Sequence, residues 1–232
     1  MAAMPFGPRR LLLLRDDRGG GLALLLERQA QRDLVLAQTL GVAIRYAPDL
    51  DEKLATAQLA QVESCSTLYE HLGCGDLLRR VSEKARAAPL VDSWVEVHVA
   101  LVLLTAATTV ELAGRTSTTS ARAADTFGRV LGGARELFAL GANALRTACA
   151  SAANLQAAQS QLAVWLHTAL ASLQSVGRRG QRGRLHARAT SEVMRRYLDG
   201  LEPTLFACGL RLPARDVVAI GLELPTGLLA QR

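Results

Sequence analysis

The sequence contains few aromatic residues, and this scarcity narrows the fold class. Only 4% of the 232 residues are Phe, Trp or Tyr, although 50% are hydrophobic. The apolar residues are therefore mostly leucine, alanine and valine, and the first two are strong helix formers. Alternating runs of β-branched and aromatic residues, which are typical of strands, are scarce. The composition predicts an all-α protein, and the length suits one large helical domain.

Lysine is almost missing as well, so arginine carries the positive charge. Lys53 and Lys84 are the only lysines, and the formal net charge is +6. A phosphate-binding surface would concentrate this charge on one face and add aromatic residues for stacking. The arginines are instead scattered, and no aromatic residue interleaves their one cluster. We interpret that cluster as a solvated, glycine-rich loop and expect no nucleic-acid binding. It comprises Arg178, Arg179, Arg182, Arg184 and Arg188.

Paired cysteines, long uncharged runs and common catalytic motifs are also missing. The four cysteines stand far apart without a CxxC pair, which indicates reduced thiols of a cytosolic protein. The apolar run at 11–14 is too short for a secretory signal. No run approaches the roughly 18 uncharged apolar residues of a membrane span. Glycine-rich phosphate loops, dinucleotide fingerprints and Gly-x-Ser-x-Gly elbows do not occur. We expect a soluble, cytoplasmic protein.

Proline and glycine divide the chain into helical segments. Each segment is bounded by such a residue or by a polar stretch, as helix ends require. We expect a flexible N-terminal arm over 1–20, a helical bundle over 21–215 and a C-terminal tail over 216–232. The predicted helices cover about 21–47, 49–72, 75–87, 92–114, 121–150, 152–176 and 185–200, and Asp49 with Glu52 forms a capping-box-like start for the second one.

Heptad-like spacing selects one inward stripe on each long helix. The first stripe contains Asp33, and Glu63 lies beside Ser66 on the second helix. Burying a lone carboxylate is costly, so these acidic residues need an explanation. A di-iron carboxylate bundle would provide one, because it takes one Glu from each of two helices and Glu-x-x-His from each of the other two. The stripe of the fourth helix contains His98 and Thr105.

Several segments resemble a known family. They are Glu63-Ser-Cys-Ser66 followed by Leu68-Tyr69-Glu70, Ser93-Trp94, Phe127-Gly-Arg-Val-Leu131 leading into Arg135-Glu136, then Gln156, Trp165 and Cys208-Gly-Leu-Arg-Leu-Pro213. Together they are similar to the ferritin-like oxygenase subunits of the phenylacetyl-CoA epoxygenase type, over roughly residues 22–215. The resemblance implies a ferritin-like four-helix bundle with additional helices.

The same resemblance implies that most metal ligands have been lost. It places the first carboxylate near Asp33 and the first Glu-x-x-His at Glu63 and Ser66. It places a further acidic residue near Thr105 and the second Glu-x-x-His at Ala134 and Leu137. Ser66, Thr105, Ala134 and Leu137 would therefore be degenerate ligand positions. Two iron ions need about six protein ligands, and such cations are not held by Ala, Leu or Thr. We expect no di-iron centre and no other metal.

The candidate residues also have structural interpretations without any site. Asp33 follows Arg32 and can form a surface ion pair at the edge of its stripe, which would contribute little to stability. Glu63 can pair with an arginine from a neighbouring helix. His98 can be a hydrogen-bonded core histidine, and Thr105 and Thr108 can donate to helix carbonyls one turn back.

Two functions are consistent with these features. The first is a non-catalytic ferritin-like protein that acts as a structural or partner subunit, either as a homodimer or with a related catalytic subunit. Gln156, Gln159 and Gln161 would supply polar contacts there. The second is an oxygenase- or hydroxylase-like enzyme, or a small-molecule binder, that uses the central bundle cavity. Its polar groups would be Asp33, Glu63, Ser66, His98 and Thr105.

Overall fold

The protein is all-α, as its composition predicts. The computed structural model describes residues 20–43, 52–86, 88–113, 121–174 and 183–218. These ranges contain helices and no strand. Outside them lie residues 1–19 of the predicted arm over 1–20, the arginines at 178, 179 and 182, and residues 219–232 of the predicted tail over 216–232. The helices are α1 Gly20–Ala43, α2 Glu52–His71, α3 Leu77–Arg86, α4 Trp94–Leu112, α5 Ala121–Ala148, α6 Ala152–Leu173, α7 Gly183–Ala207 and α8 Arg215–Val218.

Helix α4 is the central element of the fold. Every residue of the helix after Trp94 is buried. It packs against α1, α5, α6 and α7. A helix that is apolar on all sides is stable in water only when it is covered on all sides, which explains this position. By length and composition α4 could also span a membrane, although no membrane span was predicted from the sequence. In the structure this helix is buried inside the fold.

The other helices surround α4 in two groups. The first group forms a closed ring with α4 itself: α1 packs on α2, α2 on α5, α5 on α4, and α4 on α1. Helix α3 packs on α1 and α2. Helices α6 and α7 cover the remaining side of α4, and α8 packs on α6. The apolar core is correspondingly divided. One cluster is centred on α4, α6 and α7, and a smaller one lies between the start of α1, α2, α3 and the start of α5.

Helix α7 continues past its predicted end near residue 200. Pro203 lies inside the helix, which runs to Ala207. A proline in a helix interior removes one backbone hydrogen bond and crowds the preceding turn. The side chains of Leu201 and Leu205, on either side of it, are both buried in the core. Their burial offsets the loss, so tertiary packing overrides the local signal of Pro203.

The inward stripe predicted for α2 is partly wrong. The heptad-like spacing predicts Ala55, Leu59, Val62, Ser66 and Tyr69 inside. Val62 and Tyr69 are buried, whereas Leu59 is 47% exposed and Ser66 is half-buried. Gln58 and Cys65 are buried in place of these two. The positions Gln58, Val62, Cys65 and Tyr69 also follow a spacing of four, three and four, so the periodicity alone permits both registers. The actual phase turns Glu63 to the exposed side of the helix.

The contact between α4 and α5 depends on a glycine. A Cβ atom at Gly141 would lie 3.0 Å from Leu101 Cβ and 3.3 Å from Val102 Cγ2. By contrast, a Cβ atom at Gly132 on the same helix would meet nothing within 4 Å. Gly141 therefore permits the close approach of the two helices, whereas Gly132 contributes only a poor helix propensity.

We predict opposite effects for alanine at these two glycines. Gly141→Ala should lower the free energy of unfolding by about 1–3 kcal/mol, because the new methyl group overpacks the contact with α4. Gly132→Ala should raise it by up to about 1 kcal/mol, because alanine favours the helix. Urea denaturation of both variants tests this pair. Equal effects of the two substitutions would contradict the assignment of Gly141 to the contact.

Candidate functional site

The inner face of α1 carries three polar side chains that are almost fully buried. Gln29, Arg32 and Asp33 are spaced three and four residues apart, so they share one face of the helix. Their exposed fractions are 0%, 1% and 1%. The amide of Gln29 joins the other two: its Nε2 donates to Asp33 Oδ1 at 2.7 Å, and its Oε1 accepts from Arg32 Nη2 at 3.0 Å. Asp33 is therefore an interior residue and does not form a surface ion pair.

Arg32 connects α1 with two further helices. Its Nε donates to Thr108 Oγ1 of α4 at 3.1 Å, and its Nη2 donates to the carboxylate of Glu111. Its Nη1 reaches the carbonyl and the hydroxyl of Ser172 on α6, at 3.4 and 3.3 Å. The planar guanidinium presents donors in several directions, which allows one side chain to bind these three residues and Gln29 at once.

Glu111 is shared by two arginines. Arg32 pairs with Oε2 of this carboxylate, and Arg28, one turn earlier on α1, pairs with Oε1. The side chains of Arg32 and Glu111 are 1% and 3% exposed, and that of Arg28 is 14% exposed. A buried charge is tolerated only when it is paired and hydrogen-bonded. The two guanidinium groups satisfy this condition for Glu111.

Only one of the two carboxyl oxygens of Asp33 has a hydrogen-bond partner. Its Oδ2 is buried and has no hydrogen-bond partner. Burial raises the pKa of Asp33 to about 7, while the hydrogen bond from Gln29 and the charge of Arg32 act in the opposite direction. Cys65 of α2 is fully buried nearby, and burial, followed by the charge of Asp33, raises the pKa of its thiol. Cys65 is therefore a neutral thiol without nucleophilic character.

His98 and Thr105 are buried, but neither contacts this network. The ring of His98 packs edge-to-face on Trp94 with a centroid distance of 4.9 Å, and its buried Nδ1 has no hydrogen-bond partner. Burial lowers the pKa of His98 to about 4, so the ring is neutral. Thr105 Oγ1 donates to the carbonyl of Leu101 one turn back, as expected, whereas Thr108 accepts from Arg32.

The remaining candidate positions do not join Asp33. Glu63 is exposed on α2, and Ser66 is half-buried beside it. Ala134 and Leu137 are buried on α5, where they offer no donor atoms for a metal. Among the residues that the structure describes, no three His, Cys, Asp or Glu side chains come together as a metal-binding group. A cavity of about 340 Å³ lies elsewhere, between the C-terminal part of α1 and residues 85–91.

The ionic partners of this site were not predicted from the sequence. Arg32 was predicted only as a neighbour of Asp33, and Glu111 was given no role. A signal was present, because Glu96 and Glu111 are the only acidic residues in α4. Glu96 is also hydrogen-bonded to other residues. Its carboxylate accepts from Trp165 Nε1 of α6 at 2.9 Å and from the backbone N–H of Asp92 at 3.2 Å.

Comparisons with known proteins add nothing to this description. Neither a scan against protein-family models nor a search of curated proteins finds a match to the chain.

We predict that the buried ion pair shows strong coupling. Glu111→Leu should lower the free energy of unfolding by about 3–5 kcal/mol, because it leaves the buried guanidinium of Arg32 without a carboxylate. Arg32→Met should cost less, because Arg28 still pairs with Glu111. The double variant should lose less than the sum, with a coupling of at least about 1 kcal/mol. A double-mutant cycle by urea denaturation measures this.

The matched control is the partly exposed pair of Arg196 and Glu192 on α7, at 2.9 Å, whose side chains are 30% and 42% exposed. The same substitutions there should cost less than about 0.5 kcal/mol each. Similar coupling energies for the two pairs would show that burial does not strengthen the Arg32–Glu111 interaction.

The carboxyl of Asp33 should make stability depend on pH. Its folded pKa of about 7 lies above the ordinary value of 3.8, so the folded state binds the proton more tightly. The stabilisation of the folded state by this tighter proton binding is fully present below pH 3.8 and is lost as the pH rises through 7. Asp33→Asn, which stays neutral, should therefore gain up to about 4 kcal/mol relative to the wild type between pH 4 and pH 8.

Denaturation curves of both proteins across this pH range measure the difference. Asp125→Asn, at an exposed position on α5, serves as the control and should show no such gain. A constant difference between wild type and Asp33→Asn at all pH values would contradict the buried, proton-binding carboxyl.

Proposed function

We propose that this protein is a non-catalytic member of the ferritin-like type, a four-helix bundle with additional helices that acts as a structural or partner subunit through helix–helix association. The observation that carries the proposal is the interior position of Arg32. Its guanidinium group, with that of Arg28, neutralises the carboxylate of Glu111. In a metal-bearing bundle the cations that neutralise interior carboxylates are the metal ions themselves. Arginine replaces them here.

The donor atoms near Asp33 do not fit a di-iron group. Glu111 is already shared by two guanidinium groups, and a divalent cation beside Arg28 and Arg32 would be repelled by both. Cys65 offers a neutral thiol, and iron needs the thiolate. Only one oxygen of Asp33 is left for a ligand role.

The alternative function, an enzyme or small-molecule binder at the bundle centre, receives less support from these contacts. Such a site needs polar groups that converge on an open space. Gln29, Arg32 and Thr108 are bonded to one another or to Glu111 instead. The cavity near residues 85–91 is lined by none of Asp33, His98 and Thr105.

The partner is a second copy of the chain or a related ferritin-like catalytic subunit. Large apolar side chains on the surface support association, because Leu90 and Phe206 are 84% and 81% exposed. All four cysteines are free thiols, which agrees with a reducing compartment such as the cytoplasm.

Iron analysis of the purified full-length protein tests the non-catalytic assignment. The protein is expressed in iron-supplemented medium, and its iron content is measured by inductively coupled plasma mass spectrometry. We expect far less than one iron atom per chain. Arg32→Met serves as a companion variant. It should also stay free of iron, because removal of the cation restores no missing ligand. An iron content close to two atoms per wild-type chain would overturn the proposal.

A further inference from the structure

The cavity of about 340 Å³ lies where α3 ends beside α1. Helix α3 ends at Arg86, because Pro89 disfavours helical angles just before it, and the chain continues beside α1 without regular structure. Gly41 of α1 lines the space without a side chain, and a Cβ atom there would meet nothing within 4 Å. The positions of the proline and the glycine therefore leave a gap between the two segments.

The walls of this cavity are mainly apolar. Val35, Ala85 and Val91 belong to the hydrophobic core and are at most 5% exposed. Leu90 lies on the solvent side and is 84% exposed. Pockets for small molecules have volumes of about 300–1,000 Å³ and are lined mainly by apolar side chains, so this cavity falls within their range. The other apolar side chains that line it are those of Val42, Ala88 and Pro89.

The side chain of Thr39 lines the cavity without a hydrogen-bond partner. This residue of α1 is 4% exposed. Within the part of the chain that the structure describes, no hydrogen bond engages its hydroxyl. The buried threonines of α4 differ, since Thr109 Oγ1 donates to the carbonyl of Thr105 one turn back at 2.8 Å. Because a buried polar group without a partner is costly, a ligand that accepts a hydrogen bond from Thr39 is favoured here.

The charged group at the cavity is a cation. Arg86, the last residue of α3, lines the cavity and is exposed to solvent. Among the described residues, no carboxylate pairs with its guanidinium group and no Asp or Glu lines the cavity. Arg80 of the same helix, by contrast, pairs with Glu27 at 3.2 Å. Gln38 of α1 adds an amide to the lining. Hydrogen-bond donors together with a positive charge are the groups that bind a carboxylate.

Apolar walls and a cationic edge together select an apolar molecule with a carboxylate group. A hydrocarbon would leave Thr39 and Arg86 without partners, and an organic cation would be repelled by Arg86. The volume sets the length of the molecule. A water molecule takes up about 30 Å³ and a methylene group about as much, so the cavity holds a chain of roughly ten carbon atoms.

We propose that this cavity binds a free medium-chain fatty acid, with its carboxylate at Arg86 and its hydrocarbon chain against Val35, Ala85 and Val91. Binding would also cover part of the exposed side chain of Leu90. The site lies apart from the Arg32–Glu111 pair, and the inference does not rest on the non-catalytic assignment. A failure of either one leaves the other intact.

Titration calorimetry of the full chain with decanoate tests the binding. The probe is kept well below the concentration at which it forms micelles. We expect about one decanoate per chain, with a dissociation constant below about 1 mM. Decyltrimethylammonium carries the same hydrocarbon chain and a positive head group, so it should not bind saturably. An absence of saturable binding by decanoate would overturn the inference, and so would equal binding of the two compounds.

Filling the cavity tests its location. Gly41→Leu adds a side chain where a Cβ atom has free space, and it should weaken decanoate binding at least tenfold. Leucine favours the helix over glycine, so the variant should stay folded, which circular dichroism verifies. Gly128→Leu is the matched control on α5, where a Cβ atom also meets nothing within 4 Å, and it should leave binding unchanged. Unchanged binding by folded Gly41→Leu would place the ligand elsewhere and contradict the proposal.

Neutralising the arginine tests the carboxylate contact separately. Arg86→Gln should raise the dissociation constant at least threefold, because the carboxylate loses a charge-assisted partner. Arg79→Gln removes the same charge from an exposed position of the same helix and should change the constant by less than twofold. Equal effects of the two substitutions would show that only the overall charge matters, which contradicts a contact at Arg86.

Sedimentation with phosphatidylglycerol vesicles distinguishes a free fatty acid from the acyl chains of a membrane. The full chain should remain in the supernatant when the vesicles are pelleted, in the absence and in the presence of decanoate. A chain that pellets with the vesicles, and that Gly41→Leu releases, would show that the cavity takes up membrane lipid and would overturn the assignment to a free fatty acid.

Discussion

The interaction between Arg32 and Glu111 constrains the rest of the structure. Both side chains are buried, and an interior charge without its partner would cost several kcal/mol. The pair therefore fixes α1 against α4, and the contact of Arg32 with Ser172 adds α6. The surrounding polar groups are explained by the same requirement, because each one satisfies a donor or acceptor of these two residues or of Asp33.

The two acidic residues of α4 attach both ends of the central helix. Glu96 in the first turn binds the indole of Trp165 on α6, and Glu111 in the last turn binds the arginines of α1. The residues between them are almost entirely apolar or threonine, and apolar contacts hold a helix against its neighbours without defining its position along its axis. The two carboxylates fix the position of α4 along its axis. This arrangement explains why a helix that is otherwise apolar carries two buried acids, and it requires no catalytic role for either.

The sequence predicted the local structure well and the tertiary pairing poorly. Helical periodicity identified the helices and placed Asp33 on an inward stripe, although it left a surface ion pair open for this residue, because both assignments depend on spacing within one segment. The predictions for Leu59 and Ser66 of α2 were wrong because two registers fit the same spacing, and only packing against α1 distinguishes Cys65 from Ser66. The continuation of α7 through Pro203 depends on the burial of the neighbouring leucine side chains, which rules about a single helix do not predict. The Arg32–Glu111 pair joins residues 79 positions apart, so periodicity within one helix cannot reveal it.

The central claim is that arginine, and not a metal ion, neutralises the buried carboxylate of Glu111. A crystal structure of protein from iron-supplemented cells, with diffraction data collected at the iron absorption edge, tests it most directly. The account predicts that Arg32 contacts Glu111, Thr108 and Ser172, with no anomalous density near Asp33. Anomalous density between Asp33 and a second carboxylate, with the Arg32 side chain turned away from Glu111, would contradict it.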